Sequence, residues 1–123
     1  MAAPVKEERP SIRVHAHTGI NADQLTHLLL GMEEEGVPVI VEHHDELNPL
    51  ILANRAAIAS RLGIGLGLAL DYAVITTEKL PESKPYVATW LNVDAATDRI
   101  IGSNAARMVK RIPLRPVGKE RNP

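Results

Sequence analysis

Residues 63–70 read Gly-Ile-Gly-Leu-Gly-Leu-Ala-Leu, and this alternation restricts the fold more than any other stretch of the chain. Successive side chains of a strand point to opposite faces. Gly63, Gly65 and Gly67 therefore share one face, and Ile64, Leu66 and Leu68 the other. Glycine weakens a strand interior unless something approaches the bare backbone closely. One of the chain's own helices, a ligand or a partner subunit must lie against that face. A dinucleotide fingerprint needs Gly-x-Gly-x-x-Gly opening a helix, and here the spacing fails after Gly67. No Gly-Lys-Ser/Thr occurs either, so this chain alone is not expected to bind ATP.

The elements around this strand alternate. Ser11 to His17 places Ile12, Val14 and Ala16 on one face and Arg13, His15 and His17 on a wetter one, a short strand. Asn21 is a good N-cap, with Gln24 at the capping-box position and Ile20 able to staple onto Leu25. Leu25, Leu28, Leu29 and Met32 form a helical stripe. Gly36 is the expected left-handed stop, and Pro38 prevents continuation. Val37 to Glu42 is a nearly continuous apolar run, suited to a strand covered on both faces. Asn48-Pro49 opens a second helix, rich in small residues that allow close packing on a sheet. Its end at Arg61 to Gly63 places a cation and then glycine at the terminus. Asp71 is a turn residue, joining the glycine strand to a strand over Tyr72 to Thr77. Tyr86 to Val93 is the last strand, Asp94 to Arg99 a polar turn. Ile101, Ala105, Met108, Val109 and Ile112 mark a final amphipathic helix stopped by Pro113. Ser103, Arg107 and Lys110 fall on its outer face, for solvent or a subunit contact.

The order β-α-β-α-β-β-β-α implies right-handed crossovers. The expected fold is a three-layer α/β/α sandwich with a mixed, mostly parallel five-stranded sheet. At 123 residues a single domain over 11–113 is expected, with a flexible arm at 1–10 and a flexible tail at 114–123. Aromatic residues are 2% and Phe is absent, so Leu, Ile, Val and Ala must fill the core. A net charge of −1 with scattered Lys and Arg argues against a nucleic-acid footprint. No Cys is present, which excludes disulfides and thiolate chemistry. No apolar run approaches the ~20 residues of a membrane span. Met1 to Pro10 has no apolar signal-like core, so a cytoplasmic location is the default.

Glu33, Glu34 and Glu35 end the first helix, where the macrodipole favours cations instead. At ~100° per residue, Glu34 lies opposite the apolar stripe, near Leu30 and His27, while Glu33 and Glu35 flank it. Either this is a solvated helix end, or an external cation or cationic partner meets it. Among the histidines, His15 and His17 share a face and could combine with His43 or His44 around a metal. Adjacent His43 and His44 cannot easily chelate one ion together, and no zinc-motif spacing is present.

Leu29-Leu-Gly-Met-Glu-Glu-Glu-Gly-Val-Pro38 resembles the Leu-Leu-Gly-Ile-Glu-Glu-Glu-Gly-Ile-Pro signature of the small subunit of diol and glycerol dehydratase reactivating factors. Gly102-Ser-Asn-Ala-Ala-Arg-Met-Val-Lys-Arg-Ile-Pro-Leu-Arg115 is similar to that family's Gly-x-Asn-Ala-Ala-Arg-Leu-Val-Lys-Gly-Ile-Pro-Phe-Arg segment, and His43-His44 and Leu80-Pro81 match too. The Gly63–Leu68 stretch resembles one in the dehydratase medium subunit. Arg111 stands where the family has Gly and Leu114 where it has Phe. The chain before Leu28 matches poorly.

The resemblance implies an anticodon-binding-domain-like fold and a non-catalytic, chaperone-like subunit. Its large-subunit partner would be an ATPase holding ATP or ADP, and its client a cobalamin-dependent dehydratase, with or without a bacterial microcompartment. The complex would exchange damaged cobalamin by swapping subunits. The family also implies that a glutamate of the Glu-Glu-Glu run, matched here to Glu34, completes a magnesium site in the partner. Leu30, Glu33, Glu34, Arg107 and Lys110 are the candidate partner-binding residues. Gly63, Gly65 and Gly67 are the candidate ligand or close-packing face. Two alternatives stand beside this. One is a medium-subunit-like component against the cobalamin nucleotide, disfavoured by the absence of a long extension after the domain. The other is a stand-alone small-molecule-binding domain.

Overall fold

The computed structural model describes residues 9–116. The elements are β1 (Ile12–His17), α1 (Ala22–Glu34), β2 (Val39–His44), α2 (Pro49–Ala59), β3 (Ile64–Ala69), β4 (Tyr72–Thr77), β5 (Val87–Trp90) and α3 (Ala95–Lys110).

Local chemistry sets the helix ends. The Asn21 side chain accepts from the Gln24 amide at 3.0 Å, and the Gln24 side chain accepts from the Asn21 amide at 3.0 Å. This reciprocal capping box starts α1. At its end Gly36 takes φ +76. The Gly36 amide donates to the Glu33 carbonyl at 2.9 Å and the Val37 amide to the Met32 carbonyl at 3.5 Å, the bond pair of a Schellman stop. Pro49 occupies the first turn of α2 behind the N-cap Asn48.

The sheet order is β2-β1-β3-β4-β5. β1 pairs parallel with β2 and β3, and β4 pairs antiparallel with β3 and β5. Four strands thus share one direction and β4 opposes them. α1 and α3 pack together over one face, and α2 lies alone on the other against β3, β1 and β4. The main core sits under α1 and α3. It joins Ile12, Val14, Ala16, Leu66, Leu68 and Ile75 to Leu25, Leu28, Met32 and Ile101, filling the space with aliphatic residues alone.

Gly65 and Gly67 explain the other layer. A Cβ on Gly65 would overlap the Ala57 amide and the Ala56 backbone, and one on Gly67 the Pro49 carbonyl. The bare face is therefore covered by α2, whose Leu52, Ala53, Ala56 and Ala57 are buried. Gly63 does not share that role. It precedes β3 in a turn with φ +75, so the side-chain-free face starts at Gly65.

Other expectations shift. β2 is an edge strand and its apolar residues are only half-buried, because strand order is set by pairings the run itself does not encode. The Asp94–Arg99 turn is the start of α3, capped by the Asp94 side chain on the Thr97 amide at 2.7 Å. Asp98 is buried and holds the Asn92 amide and side chain at 2.9 and 2.8 Å, which is why a polar run can begin a helix here. β5 is shorter than Tyr86 to Val93. The buried face of α1 runs through Gly31, while Leu29 is half-buried. α2 ends at Ala59, where Ser60 caps it and bonds the Ser11 carbonyl at 2.7 Å, ahead of Arg61. The expected arm lies mostly, and the expected tail from 117, outside the described residues. At the head of that tail, Arg115 is held by two bonds with Asn104, at 2.6 and 2.9 Å.

Two consequences can be measured. Arg111 ends α3 at φ 58, ψ 40, a left-handed conformation that costs a side-chain-bearing residue about 1–2 kcal/mol. Arg111→Gly is expected to raise unfolding free energy by about 1 kcal/mol in urea titration. Gly65→Ala is expected to lower it by about 1–3 kcal/mol, since the added methyl must push α2 off the sheet.

Candidate functional site

The acidic end of α1 faces α3 at very short range. A Cβ on Gly31 would overlap the Arg99 carbonyl and the Ser103 amide, and one on Gly102 the Leu28 carbonyl. The two backbones therefore touch. This contact joins the two segments that carry the family signature, one in each helix.

The crossing brings the three glutamates to different ends. The Glu35 Oε2 accepts from Ser103 Oγ at 2.7 Å and Arg107 Nε at 2.9 Å. Its Oε1 accepts from Lys110 Nζ at 2.8 Å, which also donates to the Glu35 carbonyl at 2.9 Å. The hydrogen bonds from Lys110, then Ser103, then Arg107, push the Glu35 pKa down to about 2. Charge-assisted bonds of this kind favour the ionised carboxylate. Glu34 is exposed and ion-paired with Arg99 across the helix interface. Glu33 is exposed and has no ion pair among the described residues. So the cation that the glutamate run demands comes largely from α3 of the same chain.

This changes the reading of α3's outer face. Ser103 is fully buried and Arg107 is half-buried. Arg107 and Lys110 grip Glu35, and Arg107 Nη1 donates to the Pro113 carbonyl at 3.1 Å. Neither cation reaches out unoccupied. Ser103 and Arg99 were missed as members of the cluster. The available signal was the spacing of Arg99, Ser103, Arg107 and Lys110, which repeats at helical intervals along one face.

Beside the glutamates, Leu29, Glu33, Val37, Pro38, Val39 and Val41 line a shallow groove of about 270 Å³ between α1 and the β2 edge. Leu30 is exposed on the outer side of α1. One end of the molecule thus presents an apolar edge, two exposed carboxylates and a rigid helix terminus. Such a surface can bind another protein and lend it a single oxygen ligand. Among the described residues no helix is long and apolar enough to cross a membrane.

A family profile described as dehydratase medium subunit matches residues 9–115. The chain belongs to this dehydratase medium-subunit family. Within it, the chain is similar to the small subunits of dehydratase-reactivating factors. It is 36% identical over 106 residues to the propanediol dehydratase-reactivating factor small subunit of Citrobacter freundii, covering 86% of this chain and 90% of that protein. It is 37% identical over 93 residues to the diol dehydratase-reactivating factor small subunit of Klebsiella michiganensis, covering 76% and 74%. In three dimensions it matches a chain of the diol dehydratase-reactivating factor complexed with ADP and Mg2+, with a TM-score of 0.82 and 33% identity over 89% of this chain and all of that one. A glycerol dehydratase reactivase chain matches with a TM-score of 0.84 and 27% identity, at the same coverage.

A carboxylate with a depressed pKa adds stability that is complete above its ordinary pKa and is lost as pH falls toward the folded value. For Glu35 that window runs from 4.5 down to about 2. Glu35→Gln should therefore melt below the wild type at pH 7. Thermal melts at successively lower pH should show the gap closing across that window.

Proposed function

We propose that this chain is the small subunit of a reactivating factor for a cobalamin-dependent diol or glycerol dehydratase. It works with a large ATPase subunit and is itself a binding and exchange module, with no catalysis of its own. The observation that carries this reading is its similarity, over nearly the whole chain, to reactivating-factor small subunits within a family that also takes in the dehydratase medium subunit. A shared fold lets the small subunit take the medium subunit's place. Removing a medium subunit from the dehydratase then opens a path for damaged cobalamin to leave. The place of action is the cytoplasm, within or beside a bacterial microcompartment.

Glu34, with Leu30 and Glu33 beside it, is the centre of the partner surface in this reading. Arg107 and Lys110 contribute by fixing Glu35 and, through it, the end of α1. Magnesium takes one or two carboxylates and otherwise phosphate or water oxygens. A single exposed carboxylate on a fixed helix end fits that demand. Glu34 would hold the ion on this chain's side, supplying one carboxylate oxygen to a magnesium site completed in the partner. For Glu34 to serve, Arg99 must release it or share it. The pair is about half-exposed, and exposed pairs contribute only about 0–1 kcal/mol, so release costs little.

Glu34→Ala is expected to leave the circular dichroism spectrum unchanged. It should weaken magnesium-dependent assembly with a co-expressed reactivase large subunit, or the ATPase of that complex, by at least about tenfold. An unchanged complex removes Glu34 from the interface, and failure of the wild-type chain to copurify overturns the reading. The profile's own description supports a second reading, a dehydratase component contacting the cobalamin nucleotide. Tight binding of cobalamin by the isolated chain would favour it.

A further inference from the structure

The face of the sheet beneath α2 holds a second cluster, apart from the glutamates. In the parallel register His15 lies opposite Glu42, and His17 opposite His44. His15, Glu42 and His44 thus fall on one face of two neighbouring strands. His15 Nε2 stands 3.4 Å from Glu42 Oε1, and His44 Nε2 stands 3.3 Å from the same oxygen. The two imidazole rings are 4.3 Å apart.

His15 is 5% exposed, and neither of its ring nitrogens makes a hydrogen bond. Buried polar groups without partners are rare and costly. The 3.4 Å approach to Glu42 lacks hydrogen-bond geometry, so the ring is aimed at the cluster without being satisfied by it. The remaining histidines of the two strands are occupied otherwise. His17 Nδ1 accepts from the Gly19 amide at 3.0 Å, and His43 Nε2 meets the Ile20 carbonyl at 3.1 Å.

We propose that His15, Glu42 and His44 form a three-ligand site for a zinc-class divalent cation. One candidate ligand atom from each residue lies within 4.8 Å of the others. Tetrahedral coordination at about 2.0–2.1 Å puts neighbouring ligand atoms about 3.3 Å apart, the spacing seen on both sides of Glu42 Oε1. Two imidazoles and one carboxylate leave a fourth position for water. Their donor set suits zinc, nickel, cobalt or copper over magnesium or calcium. Arg13 Nη1 holds the other carboxylate oxygen at 3.0 Å, which orients Oε1 toward the histidines as an outer-shell partner does. That guanidinium also opposes a cation, so affinity should be moderate. Glu42 and His44 side chains are 42% and 40% exposed, and an ion can enter from the β2 edge.

Titrating zinc chloride into the full chain by calorimetry is expected to give one ion per chain. Imidazole nitrogen resonances of His15 and His44 should shift. His44→Gln and Glu42→Gln should each weaken binding at least about tenfold, whereas His27→Gln on α1 should bind as the wild type does. Because His44 and Glu42 are part-exposed, these variants should stay folded, with thermal melts checking it. Zinc binding unaffected by both substitutions, or no binding of zinc, nickel or cobalt by the wild type, would overturn the proposal.

Discussion

Two glycines, one in each of two helices, set the geometry on which the acidic end of the molecule depends. Gly31 and Gly102 let α1 and α3 meet backbone to backbone. A side chain at either position would overlap the facing backbone and force the helices apart. At contact distance Glu35 meets a serine, an arginine and a lysine at once. The helix end that should suffer from its own charge is instead pinned by the neighbouring helix. This also explains why a core without Phe can hold together here: close backbone approach replaces side-chain bulk.

The second layer repeats the device with different partners. Gly65 and Gly67 admit α2 to the sheet as Gly31 and Gly102 admit α3 to α1. α2 packs mainly on β3, β1 and β4. His15, Glu42 and His44 assemble where that face passes from buried β1 to the part-exposed β2 edge. The opposite face of the same edge forms the apolar groove beside Glu33. Both candidate sites therefore border β2, an edge strand whose apolar residues are only half-buried.

What could be read from the sequence was local. The Asn21–Gln24 box, the Gly36 stop and the bare glycine face depend on neighbours within a few residues; the first two stand as expected and the face does from Gly65 on, without Gly63. The outward position of Glu34 followed from helical periodicity alone. What could not be read was long-range. β2 looked like an interior strand because its composition is that of one, and only the pairing order puts it at the edge. Glu35 finds partners 68 to 75 residues away, and no periodicity in α1 announces them. Glu42 was passed over as the end of an apolar run. The register with β1 is what turns it into the centre of a histidine pair.

The Arg99–Glu34 pair bears on how an isolated chain behaves. Glu34 already has a guanidinium partner, held by an exposed pair worth only about 0–1 kcal/mol. Free magnesium would have to shed tightly held water and displace Arg99 for one ligand. In the proposed role of Glu34, a surface bringing several oxygens of its own would make the exchange favourable. Arg99 is in this sense a resident counterion. Under the proposed function, Arg99 would occupy the carboxylate in the isolated chain and give it up, at little cost, to a surface that completes the coordination.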